Sequence, residues 1–303
     1  MIKTNYQSLT IVGGSGFIGK SIIDSFNNGF LHKFNINKIN VICRKKFKFR
    51  KKKLNLKKIN IFYTDISKTK KIPHSDLYIY AAETTDILLY KDNKIVKSHK
   101  KSIQNFINLI SKYSEAKVLY ISSGSVYYLK HNKFLNSYKK EYSRLKIFSE
   151  NQIKKLSKKN IKTSIARCFS FIGPHLPVKK HYAIGNFLYS AKYNDKILIK
   201  KNMKVIRSYM YADDMVKWLI MILLKSKKRT ITYNVGSDQP IELNELAKKI
   251  SKLFRNKVKI SKESIESNKI DKYVPNISKT KIDLKIKTLN NLTNSLKKCL
   301  KFI

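Results

Sequence analysis

Glycine is scarce in this chain, and four of its nine glycines fall within seven residues. They are Gly13, Gly14, Gly16 and Gly19, in the run V-G-G-S-G-F-I-G. The apolar run Leu9–Val12 just before them predicts a buried strand, and the spacing after them predicts a helix. Glycines at such a turn let the backbone bend sharply and approach a phosphate group at the N-terminus of the helix. The sequence therefore predicts a phosphate-binding turn.

Strand-like and helix-like segments alternate along the first half of the chain. Apolar runs that predict strands lie at Leu9–Val12, Ile39–Cys43, Ile59–Tyr63, Leu77–Ala81, Val118–Ser122 and Ile161–Arg167. Helical spacing is found at Gly16–Phe26, Ile103–Tyr113 and Tyr142–Leu156, and later at Ile184–Lys192, Asp213–Leu224 and Leu243–Phe254. This alternation predicts an α/β fold with a doubly wound parallel sheet, and the glycine turn after the first strand makes it Rossmann-type. The last twenty-odd residues, which are rich in Lys, are predicted to form a surface helix.

The chain is strongly basic, with 65 Lys plus Arg against 19 Asp plus Glu and a formal net charge of +46. Such a charge attracts nucleic acids. However, only 7 of these residues are Arg, whose planar fork is the usual reader of bases, and the Lys residues are spread along the chain. The pattern is typical of compositional drift, and it does not favour a nucleic-acid partner. A non-catalytic RNA-binding descendant of the fold is kept as an alternative.

The remaining composition indicates a cytoplasmic protein without a metal site. Cys43, Cys168 and Cys299 have neither metal-ligand spacing nor a disulfide framework, which favours a reducing compartment. The longest apolar stretch, Trp218–Leu224, is too short to cross a membrane, and no signal segment precedes the first strand.

The glycines are spaced G-x-x-G-x-x-G, and the run G-G-S-G-F-I-G resembles the short-chain dehydrogenase/reductases. It is most similar to their extended branch, the NAD-dependent epimerase/dehydratase family, which acts on nucleotide sugars. The resemblance implies NAD(P) as the cofactor, bound at the turn by Gly13, Gly16, Phe17, Ile18 and Gly19.

The second predicted strand carries information on which nicotinamide cofactor is bound. NAD-binding members of the fold place an acidic residue at the end of this strand, to bind the ribose 2′-hydroxyl. Cys43 stands there instead, and Arg44 follows it, which suits a 2′-phosphate and favours NADP(H). The resemblance adds a pair that contacts the adenine and a small pair past which the cofactor lies: Asp65 and Ile66, and Ala81 and Ala82.

The family's active site combines a Ser or Thr with a Tyr-x-x-x-Lys motif. Three such motifs occur, at Tyr90, Tyr113 and Tyr142, and about three are expected by chance in so Lys-rich a chain. Only Tyr142 follows the run V-L-Y-I-S-S-G-S-V-Y, which resembles the family's S-S-x-x-V-Y segment. The resemblance implies that Tyr142 is the general acid/base. It implies that Lys146 lowers the pKa of that phenol and holds the nicotinamide ribose, and that Ser123 binds the reacting sugar oxygen.

The second half of the chain resembles the family's substrate-binding region. Arg207 lies in I-R-S-Y-M-Y-A-D-D, which is similar to R-D-F-x-Y-V-x-D, where the Arg clamps the diphosphate. The run that ends at Asn186, and includes Ser170, resembles a bacterial subgroup found with surface-polysaccharide sugar synthesis. Ser123, Ser170, Asn186 and Arg207 are therefore the expected substrate-binding residues. The resemblance also implies a homodimer.

These motifs predict hydride transfer at C4 of a nucleotide-diphosphate sugar, ending in either 4-epimerisation or 4-keto reduction. A 4,6-dehydratase is the alternative within the family. Dehydratases carry an Asp-Glu pair just after the active-site Ser or Thr, where this chain has Gly124 and Ser125. We expect residues 1–170, with a return segment near 207–236, to form the NAD(P)-binding Rossmann domain. Residues 171–206 and 237–303 are expected to form the lobe that binds the nucleotide sugar.

Overall fold

A computed structural model describes residues 7–47, 58–84, 86–131, 136–178, 182–199, 203–254, 257–262 and 267–303. Its strands are β1 Ser8–Val12, β2 Lys38–Cys43, β3 Ile59–Tyr63, β4 Leu77–Tyr80, β5 Lys117–Ser123, β6 Lys162–Cys168, β7 Phe171–Ile172, β8 Lys196–Ile199, β9 Met203–Arg207, β10 Met210–Tyr211, β11 Ile231–Val235, β12 Ile241–Glu242, β13 Lys259–Lys262 and β14 Ser267–Tyr273. Its α-helices are α1 Phe17–Asn27, α2 Asn93–Ile110, α3 Tyr128–His131, α4 Ser137–Lys155, α5 Ala183–Tyr193, α6 Ala212–Leu224, α7 Leu243–Leu253, α8 Ser278–Leu284 and α9 Leu292–Leu300.

The main sheet has seven strands in the order β11-β6-β5-β4-β1-β2-β3. From β3 across to β6, every neighbouring pair is parallel. The chain runs outward from β1 to β2 and β3, and then returns to β4 on the other side of β1. This reversal is the topological switch point of a doubly wound sheet. The Rossmann-type α/β fold predicted from the sequence is confirmed.

The central strands are buried because helices cover the sheet. Strands β1, β2, β4 and β5 read as nearly continuous apolar runs, as parallel strands covered on both faces do. Helix α2 turns Ile103, Phe106 and Ile110 into this core. Its N-terminus lies ten residues before the predicted one, because Asp92 caps it by accepting a hydrogen bond from the Lys94 N–H at 2.7 Å.

The chain divides into two compact units, Met1–Cys168 with Val216–Tyr233, and Phe169–Met215 with Asn234–Ile303. The second unit contains short strand pairings, in the orders β12-β9-β14, β13-β8 and β10-β7. Its core is built by α5, α7 and α9 around these strands. The Lys-rich end of the chain forms a surface helix, as predicted, but the helix is short, α9 at Leu292–Leu300. Helix α9 buries Leu296 and Cys299 in this core, and only its other face carries the lysines.

None of the helices that the structure describes is both long and apolar enough to cross a membrane. The described residues likewise contain no cluster of three or more His, Cys, Asp or Glu side chains that could hold a metal ion.

Candidate active site

The glycine turn packs against the chain that leaves β4. The N–H groups of Gly13 and Gly14 both donate to the Ile42 carbonyl oxygen, at 2.8 and 3.2 Å. Gly13 has φ +99°, and a Cβ there would lie 2.5 Å from the Ala81 carbonyl carbon. A Cβ on Gly19 would lie 2.5 Å from the Gly14 Cα. A Cβ on Gly14 would clash with the Val41 side chain of β2, so three of the four glycines are required by close packing within the protein.

Gly16 differs from its neighbours because packing within the protein does not require it. It is the N-cap of α1 with an ordinary φ of −79°, and it provides no side-chain cap. The nearest atom to a Cβ placed on it would be the Gly13 carbonyl oxygen at 3.5 Å, an ordinary contact. A helix N-terminus with open space in front of it fits the diphosphate of a dinucleotide. Phe17, Ile18 and Gly19 follow as the first turn of α1.

The ends of β2 and β3 bring the predicted ribose and adenine contacts together. Arg44, exposed after β2, lies close enough to Asp65 to affect its ionisation. Burial raises the pKa of Asp65, but hydrogen bonds from Ser67 and the charges of Arg44 and Lys68 outweigh burial, so the pKa is lowered overall. Next to it, the Ile66 carbonyl oxygen accepts a hydrogen bond from the Asn105 amide at 2.7 Å, which joins this loop to α2.

Helix α4 carries Tyr142 and Lys146 on one face. The Lys146 Nζ lies 5.6 Å from the centroid of the Tyr142 ring, and the Tyr90 ring packs edge-on against that ring at 5.1 Å. Two hydrogen bonds fix α4 beside the end of β5. Lys146 Nζ donates to the Ile121 carbonyl oxygen at 2.8 Å, and Ser143 Oγ donates to the Ser125 carbonyl oxygen at 3.1 Å.

Ser123 is the last residue of β5 and lies between these two attachments. Its side chain is buried, and its Oγ accepts a hydrogen bond from the Ser125 N–H at 3.1 Å. That bond caps the short 3-10 helix Gly124–Tyr127. The predicted Ser, Tyr and Lys therefore come from two neighbouring elements of the first unit, β5 and α4.

Lys146 also forms a buried ion pair that the sequence analysis missed. Its Nζ lies 2.7 Å from the Oε2 of Glu83, and the two side chains are 5% and 9% exposed. The Tyr120 hydroxyl donates to the other oxygen of Glu83 at 2.6 Å. Glu83 directly follows the Ala81–Ala82 pair, and acids are scarce in this chain. The scarcity of acids was the one signal in the sequence that could have pointed to Glu83.

A second, partly buried ion pair joins α4 to β6. Arg167 makes two parallel hydrogen bonds to Glu150, from Nε at 2.9 Å and from an Nη at 2.7 Å. Ser122 Oγ also donates to Glu150, at 2.6 Å. Because the hydrogen bonds to Glu150 outweigh burial, the pKa of Arg167 is raised above its usual value. Through Arg167 and Ser122, Glu150 holds α4 against β6 and β5, the strand that ends at Ser123.

In the second unit, Arg207 is bound to β14. Its guanidinium donates to the Asp271 carboxylate at 2.6 Å and to the Asp271 and Ile206 carbonyl oxygens at 2.7 and 2.9 Å. The predicted diphosphate clamp therefore has an anionic partner of its own. Ser170 follows β6, and its carbonyl oxygen accepts a hydrogen bond from the Met210 N–H at 3.1 Å. Asn186 is exposed on α5.

The predicted site residues thus fall into two groups. The cofactor-binding and catalytic residues all belong to the first unit, around the carboxyl ends of its strands. Ser170, Asn186 and Arg207 belong to the second unit.

Comparison with known proteins agrees with this geometry. The model of the "NAD dependent epimerase/dehydratase family" matches residues 9–236. UDP-glucuronic acid decarboxylase 6 of Arabidopsis thaliana is 25% identical over 293 residues, covering 90% of this chain and 82% of the relative. The UDP-glucose 4-epimerase of Thermotoga maritima, solved with UDP-glucose, superposes with a TM-score of 0.80 at 15% identity and covers 98% of both chains. The Bordetella bronchiseptica enzyme WbmF, solved with NADH, gives a TM-score of 0.78 at 16% identity, over 98% of this chain and 91% of that one.

The fold and the glycine turn define a dinucleotide-binding enzyme of the extended short-chain dehydrogenase/reductase type. The family match extends over most of the chain, and the chain belongs to the NAD-dependent epimerase/dehydratase family.

Proposed function

We propose that this enzyme transfers a hydride between C4 of a nucleotide-diphosphate sugar and NAD(P), ending in 4-epimerisation or 4-keto reduction. The observation that carries the proposal is the arrangement of Ser123, Tyr142 and Lys146. Two hydrogen bonds attach α4 to the carboxyl end of β5, and the turn suited to a dinucleotide follows the carboxyl end of β1 in the same sheet. The cytoplasm and surface-polysaccharide sugar synthesis are the setting we propose.

The chain's own residues perform the proton chemistry. As a phenolate, Tyr142 takes the proton of the C4 hydroxyl, and it returns that proton when the C4 ketone is reduced. The Ser123 hydroxyl binds the same oxygen, and the Lys146 ammonium favours the phenolate. The chemistry that NAD(P) supplies when bound is acceptance and return of the C4 hydride. Hydride return to the opposite face of the ketone gives the epimer, whereas a reductase begins from the 4-keto sugar.

The substrate lobe is proposed to bind the nucleotide diphosphate through Arg207, with Ser170 and Asn186 as further contacts. For the cofactor, the exposed Arg44 after β2 supports NADP(H) over NAD(H), because a guanidinium there suits a 2′-phosphate.

The proposal is tested by substituting Tyr142 with Phe, which removes only the hydroxyl. We expect turnover of the wild type's nucleotide-sugar substrate, found by NMR on a panel of UDP-, dTDP- and GDP-sugars, to fall by about 10³-fold or more. Dinucleotide affinity should be nearly unchanged. Tyr138→Phe, one turn earlier on α4, is the matched control and should keep wild-type turnover. Near-normal turnover of Tyr142→Phe would refute the assignment.

Decarboxylation of a nucleotide-linked uronic acid is a second candidate, supported by the similarity to UDP-glucuronic acid decarboxylases. Oxidation at C4 makes the C6 carboxylate a β-keto acid. The C5–C6 bond then breaks, CO₂ leaves, and the electron pair moves to the C4 oxygen, which Tyr142 and Ser123 bind. A proton is added at C5 and the ketone is reduced.

This route needs no acid at positions 124 and 125, where a dehydratase requires a carboxylic pair and this chain has Gly and Ser. Incubation with UDP-glucuronic acid separates the candidates by mass. Loss of CO₂ from the sugar supports decarboxylation, and an unchanged mass with a new C4 configuration supports epimerisation.

A further inference from the structure

The ion pair between Glu83 and Lys146 is next to Tyr142, the proposed acid/base. The reaction proposed above assigns no role to Glu83. Glu83 stands in the chain just after β4, and Lys146 stands on α4. Both side chains are almost fully buried, and their charged atoms are 2.7 Å apart. A buried charge that loses its partner is strongly destabilising, so these two charges depend on each other.

Each member of the pair also has a neutral hydrogen-bond partner. Lys146 Nζ also donates to the Ile121 carbonyl oxygen at 2.8 Å, and Glu83 Oε1 accepts from the Tyr120 hydroxyl at 2.6 Å. Burial, followed by the charge of Glu83, raises the pKa of Tyr120 well above its usual value. Tyr120 therefore stays protonated and remains a donor, which stabilises the carboxylate as an anion.

The same ammonium also faces Tyr142. Lys146 Nζ lies 5.6 Å from the centroid of the Tyr142 ring and 5.3 Å from that of Tyr120. A positive charge at that distance favours the phenolate, and a carboxylate 2.7 Å from the ammonium opposes the effect.

We propose that Glu83 is a positioning residue for the acid/base pair. Its carboxylate fixes the Lys146 ammonium against β5 and partly neutralises the charge of that ammonium. The ammonium therefore favours the Tyr142 phenolate less strongly than an unpaired charge would. The benefit is reversibility, because a general acid/base that both takes and returns a proton works best when neither form is strongly favoured.

Four other titratable groups face this pair among the described residues. They are Tyr80 on β4, His99 on α2, Tyr120 on β5 and Cys168 on β6. Burial raises the pKa of Tyr80 well above its usual value and that of Cys168 to about 12, and burial lowers the pKa of His99. These three groups are therefore neutral from neutral to moderately alkaline pH.

The test is the titration of one phenol, measured on the protein without substrate. Absorbance at about 295 nm reports ionised Tyr, and its rise is followed as the pH is made alkaline. The difference between wild type and Tyr142→Phe isolates the titration of Tyr142. The same difference is then measured on a Glu83→Gln background. We expect the pKa of Tyr142 to fall by on the order of one unit when the carboxylate is replaced by an amide. On that background, the rise of kcat/KM with pH should move to lower pH by the same amount.

Two further variants keep the result interpretable. Glu115→Gln removes an exposed carboxylate of the first unit, paired with Lys162, and should leave the pKa of Tyr142 unchanged. The double variant Glu83→Gln/Lys146→Met removes both charges, so no buried ion is left unpaired. It should return the pKa of Tyr142 towards the wild-type value.

The kinetic consequence rests on the function proposed above, whereas the phenol titration does not. A shifted Tyr142 pKa without turnover of any nucleotide sugar would support the role of Glu83 and refute the proposed function. An unshifted pKa in folded Glu83→Gln would overturn the role of Glu83, whether or not the enzyme turns over. A double variant whose Tyr142 pKa matches that of Glu83→Gln would overturn it as well.

Discussion

Arg44 is the single residue that decides our expectation for the cofactor. It lies exposed after β2, beside the carboxylate of Asp65. A 2′-phosphate bound there would gain a charge-assisted contact, whereas the 2′-hydroxyl of NAD(H) would gain little.

We therefore expect Arg44→Ala to weaken NADPH binding by on the order of tenfold while changing NADH binding little. Fluorescence titration of both cofactors checks this, with Lys45→Ala as the control for loss of one exposed positive charge. Equal weakening of both cofactors, or tighter NADH than NADPH binding by the wild type, would contradict the preference.

In the second unit, Asp271 occupies the guanidinium donors of Arg207, the proposed diphosphate clamp. Its carboxylate lies 2.6 Å from the guanidinium and competes with any diphosphate for the same donors. Replacing it with Asn removes the competing charge, so we expect Asp271→Asn to bind UDP several-fold more tightly, about 0.5 to 1 kcal/mol. Calorimetry with UDP measures this, and Glu245→Gln, an exposed carboxylate of the same unit, is the control. Weaker UDP binding would show that Asp271 orients the clamp instead.

At the scale of elements, the β1–α1 turn separates two uses of glycine. Gly13 has a positive φ and no room for a Cβ against the Ala81 carbonyl, so its replacement strains the turn itself. Gly16 has an ordinary φ and only one ordinary contact at 3.5 Å, so its missing Cβ matters only to a bound ligand.

Gly13→Ala should accordingly lose on the order of 3 kcal/mol of unfolding free energy. Gly16→Ala should stay within about 0.5 kcal/mol of wild type but lose dinucleotide affinity by about tenfold or more. Urea unfolding and cofactor titration on both variants measure the two effects. Retained affinity in Gly16→Ala would contradict the placement of the diphosphate at this turn.

Some elements and contacts of this protein can be predicted from its sequence, and others cannot. The parallel sheet and the shared face of Tyr142 and Lys146 follow from local patterns, namely apolar runs and a four-residue helical spacing. The partners of Lys146 and Arg207 do not, because Glu83 and Asp271 lie more than sixty residues away in the chain and meet them only after folding. The Lys-rich composition of the last residues predicts the exposed face of α9 but not its buried face, which carries Leu296 and Cys299.

At the scale of the whole molecule, a net charge of +46 is the dominant feature. The exposed side of α2 carries Lys94, Lys97, Lys100 and Lys101, and α2 packs on α4, the helix of Tyr142, beside which we expect the proposed homodimer to form. Two copies meeting through such a surface repel each other unless ions screen the charges.

The proposed homodimer should therefore tighten as salt rises, since screening weakens the like-charge repulsion. Light scattering across a dilution series, at low and at high salt, measures this. Weaker association at high salt would indicate that opposite charges, and not an apolar contact, hold the copies together. A protein that stays monomeric at every concentration and salt would refute the proposed homodimer.

The proposed function requires that this chain bind a nicotinamide dinucleotide at the β1–α1 turn and transfer a hydride between it and a sugar. The most direct test denatures the freshly purified protein, identifies any released dinucleotide by mass and absorbance, and titrates an empty protein with NADPH and NADH. We expect either near-stoichiometric release, as for an enzyme that regenerates its cofactor in each cycle, or saturable binding by an empty protein, as for a reductase. A folded protein that releases no dinucleotide and binds neither cofactor would contradict the proposed function.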